Sequence, residues 1–137
     1  MKSFKDKIVV ITGAGSGIGR ALAMAFAGLG ARLALNDFQQ EGLEETLTLL
    51  EKQSSPDVLT SIFDVADRAS MVAFAEKVKS EWGNVHVIIN NAGMPGGNHP
   101  AYLTSEDMYR RVMEVNFFGV LNGCQIFLPQ IVEIQEG

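Results

Sequence analysis

The stretch VVITGAGSGIGRALAMAF, residues 9–26, decides the fold of this chain. Residues 7–12 form an apolar run rich in β-branched side chains, which favours a strand buried on both faces in a parallel sheet. Glycines follow, and apolar residues then recur at helical spacing until Gly30. The residues that set this spacing are Ile18, Ala21, Leu22, Ala25, Phe26 and Leu29. The sequence therefore predicts a strand, a tight turn and a helix.

The turn between this strand and helix has the character of a phosphate-binding loop. The first turn of a helix offers unpaired N–H groups and a positive dipole end, and a dinucleotide pyrophosphate can approach them only where no Cβ stands in the way. From Thr12 to Gly19 the pattern is T-G-x-x-x-G-x-G rather than G-x-G-x-x-G. A tight turn that binds no ligand is the alternative interpretation of the same glycines.

Strands and helices alternate along the rest of the chain. Further strands are predicted for RLALND at 32–37, VLTSIFDV at 58–65 and VHVIINNAG at 85–93. The helix after the second strand has an apolar face of Leu43, Leu47 and Leu50 and ends near Ser54, Ser55 and Pro56. The helix after the third strand is capped by Asp67 and ends at Gly83. Its predicted apolar face comprises Met71, Phe74, Ala75, Val78 and Trp82.

A long helix is predicted after the loop GMPGGNHP at 93–100. Thr104 and Asp107 have the spacing of a capping pair, and the helix is expected to reach at least Leu128. Alternation of strands with helical segments of this length implies right-handed crossovers. We therefore predict an α/β fold, a doubly wound parallel sheet with helices on both sides, in a single domain that covers residues 1–137.

Composition narrows the class of protein. Of 137 residues, 47% are hydrophobic and 20% are charged, as in soluble globular proteins. The net charge of −5 is spread along the chain without a basic cluster, which argues against nucleic acid and anionic membranes as partners. No apolar run approaches the roughly 20 residues that span a bilayer, and glycine interrupts the N-terminal segment too early for a signal peptide. We expect a cytoplasmic protein without a membrane partner.

Neither a disulfide nor a metal site is predicted. Cys124 is the only cysteine, and its apolar surroundings in the sequence favour a buried, inert thiol. We interpret His86 as a strand side chain and His99 as a solvated loop residue. No cluster of cysteines or carboxylates has the spacing of metal ligands, so we expect no metal.

Asp37 stands at the end of the second predicted strand, in the window where a carboxylate accepts hydrogen bonds from a cofactor ribose. A carboxylate there also repels a 2'-phosphate. Because no Arg or Lys occurs between Phe38 and Glu51, nothing in that segment would neutralise such a phosphate. The sequence therefore predicts NAD rather than NADP as the cofactor. The alternative is that Asp37 only caps the following turn.

Taken in order, these features resemble the short-chain dehydrogenase/reductase family. Its marks are TGAGSGIG at 12–19, Asp37 after the second strand, Asp64-Val65 after the third, NNAG at 90–93 after the fourth, and Asn116 in VMEVNFFG. The resemblance covers the whole chain. It implies a Rossmann-type fold with NAD in a groove at the carboxyl ends of the strands.

The resemblance also implies roles for individual residues. In the turn it assigns cofactor contacts to Gly13, Ser16, Gly17, Ile18 and Gly19. Asp64 would accept a hydrogen bond from the adenine amino group, and Val65 would border the base. The route toward the nicotinamide ribose would be lined by Asn91, Ala92 and Gly93. An Asx turn at the end of the strand is the alternative interpretation of the asparagine pair.

The family's catalytic residues are largely missing from this sequence. The family transfers hydride between a nicotinamide and an alcohol or carbonyl carbon, using a Tyr, a Lys four residues later and a Ser. The cation is needed because an unperturbed Tyr, with a pKa of about 10, is a poor base near neutrality. No Lys follows Lys79, no Ser follows Ser105, and no Tyr-x-x-x-Lys occurs. Only Asn116, whose family counterpart helps to hold a water, remains as a catalytic residue.

We therefore expect a fold truncated after the fourth strand and its long following helix. The fourth strand would lie at an uncovered edge of the sheet, and residues 129–137 would stand where a further strand begins. The long helix is apolar nearly all round, which is typical of helices buried on every side. In the family the corresponding helix belongs to a subunit interface. This implies a homo-oligomer formed through the helix that contains Asn116.

The predicted function is that of an NAD-dependent oxidoreductase acting on a small alcohol or ketone, with no turnover by the 137-residue chain alone. A non-catalytic dinucleotide-binding or regulatory module that ends at Gly137 is an alternative. A third is a structural partner that docks its sheet edge and apolar helix on another subunit. The loop at 93–100 either contacts substrate or is an idle connection.

Overall fold

The computed structural model describes residues 3–54 and 56–137. Its strands are β1 (Ile8–Thr12), β2 (Arg32–Asp37), β3 (Val58–Ile62) and β4 (Val87–Ile89). Its helices are α1 (Gly17–Gly28), α2 (Gln40–Gln53), α3 (Arg68–Trp82), α4 (Glu106–Met113) and α5 (Gly119–Ile134). A short 3₁₀ turn, Ala101–Leu103, precedes α4, and a π-helical turn, Glu114–Phe118, joins α4 to α5. The predicted end of α2 is confirmed at Gln53, although Ser55 lies outside the described residues.

The four strands form one parallel sheet in the order β3-β2-β1-β4. The order reverses at β1, since the chain moves to one side through β2 and β3 and then crosses back to β4. Ligands of open α/β sheets bind at such a reversal, outside the carboxyl ends of the strands. β4 lies at an edge of the described sheet, as predicted, and it is shorter than the segment 85–93.

Successive strand residues pack alternately into two separate hydrophobic cores, one on each face of the sheet. Val9, Ile11, Leu33 and Leu35 point to the layer of α1 and α2 and pack with Ala23, Ala27, Leu43 and Leu50. Ile8, Val10 and Ala34 point to the other layer and pack with Met71, Phe74, Val78 and Phe127 from α3 and α5. A strand buried on both faces requires the continuous apolar runs seen in the sequence. The doubly wound, Rossmann-type prediction is confirmed.

The predicted apolar face of α1 is correct only for Leu22 and Phe26, which pack partly buried against the core, whereas the predicted faces of α2 and α3 are confirmed. The buried residues of α1 are Gly19, Ala23 and Ala27, while Ile18 is 73% exposed. These small side chains allow the helix backbone to approach the sheet closely. The spacing of the larger apolar residues therefore predicted a helix face adjacent to the one that is buried.

The helical segment after β4 reaches Leu128 as predicted, but its N-terminal cap and the residues after Leu128 differ from the prediction. Its N-terminal cap is Ser105, whose Oγ accepts from the amide of Met108 at 3.3 Å, whereas the hydroxyl of Thr104 donates to the carbonyl of Pro100 at 3.2 Å. The chain remains helical to Ile134, so residues 129–137 do not begin a strand. The last turns are fixed because Gln130 Oε1 accepts from the amide of Val85 at 3.1 Å.

Within the described chain the same helical segment is buried on one side only, and cover of its other sides by a partner stays a prediction. Its buried residues include Val115, Gly119, Asn122, Gly123, Phe127 and Gln130. Its exposed apolar residues include Met113, Phe117, Phe118, Leu121, Leu128 and Val132. Helix Glu106–Ile134 is 29 residues long and largely apolar, so it meets the length and composition of a membrane span. The expectation that no apolar run approaches such a length is therefore wrong. Helices of this length and composition also occur in the cores of soluble proteins.

Candidate cofactor site

A groove with a volume of about 640 Å³ lies across the carboxyl ends of the strands. It is lined by the turn after β1 (Gly13, Ser16, Gly17, Ile18), the end of β2 (Asn36, Asp37, Phe38, Gln39), the segment after β3 (Phe63, Asp64, Val65), the segment after β4 (Asn91, Ala92, Gly93, Met94), and Arg111 and Val115. Every residue for which cofactor contact was predicted lines this groove, apart from Gly19. Residues as far apart along the chain as Gly13 and Val115 are thus brought to one surface.

The positions of the turn require glycine for different structural reasons. Gly13 has a φ of +67°, and a Cβ there would lie 2.8 Å from the Cα of Ala92. Gly19 is buried beneath the turn, where a Cβ would lie 2.0 Å from the carbonyl oxygen of Gly13. Gly17 has a φ of +49°, and no described atom lies within 4 Å of its Cβ position. Gly13 and Gly19 therefore close the turn, whereas Gly17 leaves space on the groove side.

The N-terminus of α1 is suited to an anion. Its cap residue Ser16 makes no side-chain hydrogen bond to the first turn, and that turn carries no acidic residue within the described chain. The N–H groups of the first turn consequently keep their capacity to donate, and the helix dipole favours negative charge at this end. The open space at Gly17 and these donors together suit an anionic group.

The Asp37 carboxylate is fixed at the rim of the turn. Its Oδ2 accepts from the amide of Gly15 at 2.7 Å, and its Oδ1 accepts from the amide of Gln39 at 2.9 Å. A Cβ on Gly15 would lie 2.8 Å from this carboxylate. Asp37 thus caps its own turn, as the alternative interpretation proposed, and also faces the groove. Each carboxylate oxygen accepts more than one hydrogen bond, so the two roles are compatible.

Arg20 ties the glycine turn to α2, a role that the sequence did not reveal. Its guanidinium donates to the carbonyl of Gly15, to the carbonyl of Gly42 at 3.2 Å and to Thr46 Oγ1 at 3.0 Å, and it pairs with Glu45 at 2.8 Å. These partners lie more than 20 residues away except for Gly15, so no local pattern identifies them. The arginine holds the carbonyl side of the turn in place.

Thr12 and Asn91 connect the ends of β1 and β4. Thr12 Oγ1 accepts from the amides of Asn91 and Ala92, both at 3.1 Å. Asn91 Nδ2 donates in return to the carbonyls of Thr12 at 3.0 Å and Gly13 at 3.1 Å. Asn91 therefore does more than form an Asx turn, because its side chain holds the glycine turn against β4.

Asn116 lies outside the groove lining, beside its β4 end. It sits in the π-helical turn, and such turns are frequent at functional sites. Its Oδ1 accepts from the amide of Met94 at 2.8 Å, and its Nδ2 donates to the carbonyl of Met94 at 2.9 Å. The side chain is thereby fixed to the segment that follows NNAG.

Asp64 is engaged on both carboxylate oxygens. Oδ1 accepts from the amide of Ala66 at 3.0 Å, and Oδ2 forms an ion pair with the guanidinium of Arg111. The hydrogen bond to Asp64 raises the pKa of Arg111, and Glu114 at 3.5 Å adds to this. Arg111 was not predicted as a site residue, since its partner is 47 positions away and its charge alone gave no signal.

Cys124 is only partly buried, so the expectation of a fully buried thiol is wrong. The side-chain amide of Asn90 donates toward its sulfur at 3.5 Å. Gly123 makes room for Asn90, because a Cβ there would lie 1.9 Å from Asn90 Oδ1. These contacts are on the helix side of β4, away from the groove.

The parallel sheet, the glycine turn at a helix N-terminus and the groove at the strand reversal define an α/β protein of the Rossmann type. Residues 7–137 match the family described as short chain dehydrogenase, and the chain belongs to that family. It is 37% identical over 135 residues to the levodione reductase of Leifsonia aquatica, covering 98% of this chain and 51% of that protein. The chain spans about half the length of the curated relatives it matches.

Solved structures support the same assignment. A crystal structure of levodione reductase matches with a TM-score of 0.93 and 34% identity, covering 98% of this chain and 52% of that one. A short-chain dehydrogenase/reductase from Burkholderia phymatum in complex with NAD has a TM-score of 0.92 and 35% identity, covering 100% and 48%. L-Sorbose reductase from Gluconobacter frateurii, complexed with NADPH and L-sorbose, has a TM-score of 0.88 and 29% identity, covering 96% and 50%. Neighbours of this chain thus bind NAD in one case and NADPH in another.

Proposed function

We propose that this chain is the NAD-binding portion of an oxidoreductase that transfers hydride between a nicotinamide and a small alcohol or ketone. The observation that carries the proposal is the groove, because it combines an unobstructed helix N-terminus at Gly17 with a fixed carboxylate, Asp37, at the end of the neighbouring strand. The NAD-bound and NADPH-bound neighbours support a nicotinamide cofactor. The nicotinamide, when bound, would supply or accept the hydride.

Different residues of the groove bind different parts of the dinucleotide. The amides at the start of α1 bind the pyrophosphate, with Ser16, Gly17 and Ile18 at the contact. Asp37 accepts from the ribose hydroxyls of the adenosine half, and Asp64 and Val65 border the base, because they follow the next strand outward. At the opposite end of the groove, Asn91, Ala92 and Gly93 line the nicotinamide ribose.

NAD is the proposed cofactor rather than NADP. The Asp37 carboxylate is held in position by two backbone amides, so it cannot easily turn away from a 2'-phosphate. Juxtaposed like charges in a binding site cost several kcal/mol. No Arg or Lys lies between Phe38 and Glu51 to offset this repulsion.

Asn116 is proposed to hold a water near the reacting atoms. Its side chain is locked to Met94, next to Gly93, whose Cβ position lies 3.3 Å from Asn116 Oδ1. Because the 137 residues contain no Tyr-x-x-x-Lys, we propose that they have no turnover as an isolated single domain. That absence also keeps a second candidate open, a non-catalytic dinucleotide-binding module.

A homo-oligomer is proposed through the helical segment that contains Asn116. Its exposed apolar side chains, which include Phe117, Phe118 and Leu121, form a surface that a second copy would cover. A cytoplasmic location is proposed because the inner face of this segment packs on α3 and β4 through Phe127. Sedimentation of the native polypeptide should give an oligomer, and a monomer would contradict this part of the proposal.

Activity separates the two candidate functions. The native full-length polypeptide is mixed with NADH and a set of small ketones, and the loss of NADH absorbance is followed. Ketone-dependent oxidation is expected, together with none for the isolated residues 1–137. Binding of NADH without turnover by the native polypeptide would favour the non-catalytic module, and turnover by the isolated chain would contradict its proposed inactivity.

A further inference from the structure

We propose that Arg111 is a further binding residue of the adenosine half of the groove, where it donates a hydrogen bond to the adenine base beside Asp64. The inference rests on the proposed function, since it assumes a dinucleotide in the groove. Arg111 lies in α4, outside the glycine turn and the strand ends.

The topology decides which end of the groove takes the adenine. The pyrophosphate lies at α1, which follows β1, and the ribose beside it lies at Asp37, at the end of β2. β3 is the next strand outward in the sheet, so the base beyond this ribose reaches the segment after β3. Asp64 belongs to that segment, and Arg111 is the cation that lines the groove beside it.

The pair offers an acceptor and a donor side by side. Asp64 Oδ2 is bound to the guanidinium, and Oδ1 is bound to the amide of Ala66, which fixes the carboxylate plane. Arg111 carries five N–H donors in a planar fork, and its guanidinium pairs with Asp64 and Glu114. Its side chain is 38% exposed, so part of the fork remains open to the groove.

Adenine presents the complementary pattern. Its exocyclic N6 amino group is a donor and the neighbouring ring nitrogen N7 is an acceptor. Asp64 accepts from N6, and an N–H of Arg111 donates to the adjacent ring nitrogen. Glu114 restrains the far side of the guanidinium, which keeps the fork oriented. A fork of this kind is not reproduced by the single ammonium of lysine.

The adjacent Arg110 supplies a matched control. It is also on α4, but its guanidinium pairs with Glu106 at 2.5 Å, its side chain is 70% exposed, and it is not among the groove residues. Substitution of either arginine by methionine removes the same charge and retains a long, unbranched side chain. Only the Arg111 substitution removes a donor from the groove.

Two cofactors distinguish a base contact from a general structural effect. The native full-length polypeptide and its Arg111→Met and Arg110→Met variants are titrated with NADH and with reduced nicotinamide mononucleotide, which lacks the adenosine. Arg111→Met should weaken NADH binding by about tenfold, as expected for a hydrogen bond from a charged donor, and leave mononucleotide binding unchanged. Arg110→Met should change neither. Arg111→Lys, which retains the charge beside Asp64, should fold if the methionine variant does not and should still lose several-fold in NADH affinity.

The outcomes separate this inference from the proposed function. If the wild-type polypeptide binds no NADH, the proposed function fails and the inference fails with it. If the wild type binds NADH and Arg111→Met binds it equally well, the proposed function stands and the role of Arg111 is refuted. Equal weakening of NADH and mononucleotide binding would show that Arg111 acts through the fold rather than on the base, which also refutes it.

Discussion

Asn116 and Met94 exchange two hydrogen bonds, from the Met94 amide to Asn116 Oδ1 at 2.8 Å and from Asn116 Nδ2 to the Met94 carbonyl at 2.9 Å. This exchange joins the π-helical turn between α4 and α5 to the segment after β4. The segment that borders the nicotinamide end of the proposed site is therefore positioned from a different layer of the fold.

Asn116→Ala should release this segment. Loss of the two hydrogen bonds should lower the free energy of unfolding by about 1 to 2 kcal/mol, since each contributes about 0.5 to 1.5 kcal/mol net. In the native polypeptide, turnover should fall more than NADH affinity. Thermal unfolding measures the loss of stability. The rate of NADH oxidation and an NADH titration measure turnover and affinity. Asn98→Ala, at an exposed asparagine of the preceding loop, is the control and should resemble the wild type.

Gly19→Ala should destabilise the chain through the backbone of the glycine turn. The added Cβ would lie 2.0 Å from the carbonyl oxygen of Gly13, which neither residue can avoid without moving the turn. We expect a loss of about 3 kcal/mol, at the upper end of overpacking effects, measured by chemical denaturation.

Gly28→Ala, on the same helix, is the control for this substitution. Its Cβ would lie 3.3 Å from Nε2 of the flexible Gln53 side chain, and its φ is not positive. Alanine favours a helix by about 1 kcal/mol over glycine, so stability should be unchanged or slightly raised. Similar stability for the two variants would refute the assignment of Gly19 to the closure of the turn.

Cofactor preference should change when the charge at the end of β2 is changed. The double substitution Asp37→Ser with Phe38→Arg removes the carboxylate and adds a cation, and it should raise the affinity for NADPH relative to NADH by about tenfold or more. Glu76→Arg makes an equal change in net charge at an exposed residue of α3 and should leave the ratio unchanged. A wild type that already binds NADPH as tightly as NADH would contradict the role of Asp37.

His86 should make stability depend on pH. Burial, with a further contribution from Lys7, lowers the pKa of His86 below its ordinary value of 6.5, and its Nδ1 accepts from the amide of Ile8 at 3.2 Å. The unfolded chain therefore takes up a proton at a higher pH than the folded chain. The stabilisation is present above pH 6.5 and is lost as pH falls below it.

Thermal unfolding across this pH range tests the histidine. The Tm of the wild type should fall on acidification more steeply than the Tm of His86→Gln. His99→Gln, at an exposed loop residue, should retain the slope of the wild type. An identical slope for wild type and His86→Gln would show that other groups cause the dependence.

Local signals predicted the strands, the turn and most of the groove. Runs of β-branched residues and glycines reflect backbone requirements that act within a few residues, and Asp37, Asp64 and Asn91 lie at the end of a strand or within two residues of it. The roles of Arg20 and Arg111 were not predicted because their partners are distant in sequence. The face of α1 was misassigned because close packing there depends on Ala23 and other small residues. The end of α5 was misjudged because its anchor, Gln130 to Val85, is a tertiary contact.

Calorimetric titration of NADH into the native polypeptide and its Gly17→Ala variant measures whether this groove binds a dinucleotide through the N-terminus of α1. A Cβ at Gly17 meets no described protein atom within 4 Å, so the variant should fold with a cost of about 1 to 2 kcal/mol for its positive φ. We expect saturable binding by the wild type and binding at least about tenfold weaker by the folded variant, because the methyl group would hold the pyrophosphate away from the helix amides. Equal NADH affinity in the two proteins, or no saturable binding by the wild type, would contradict it.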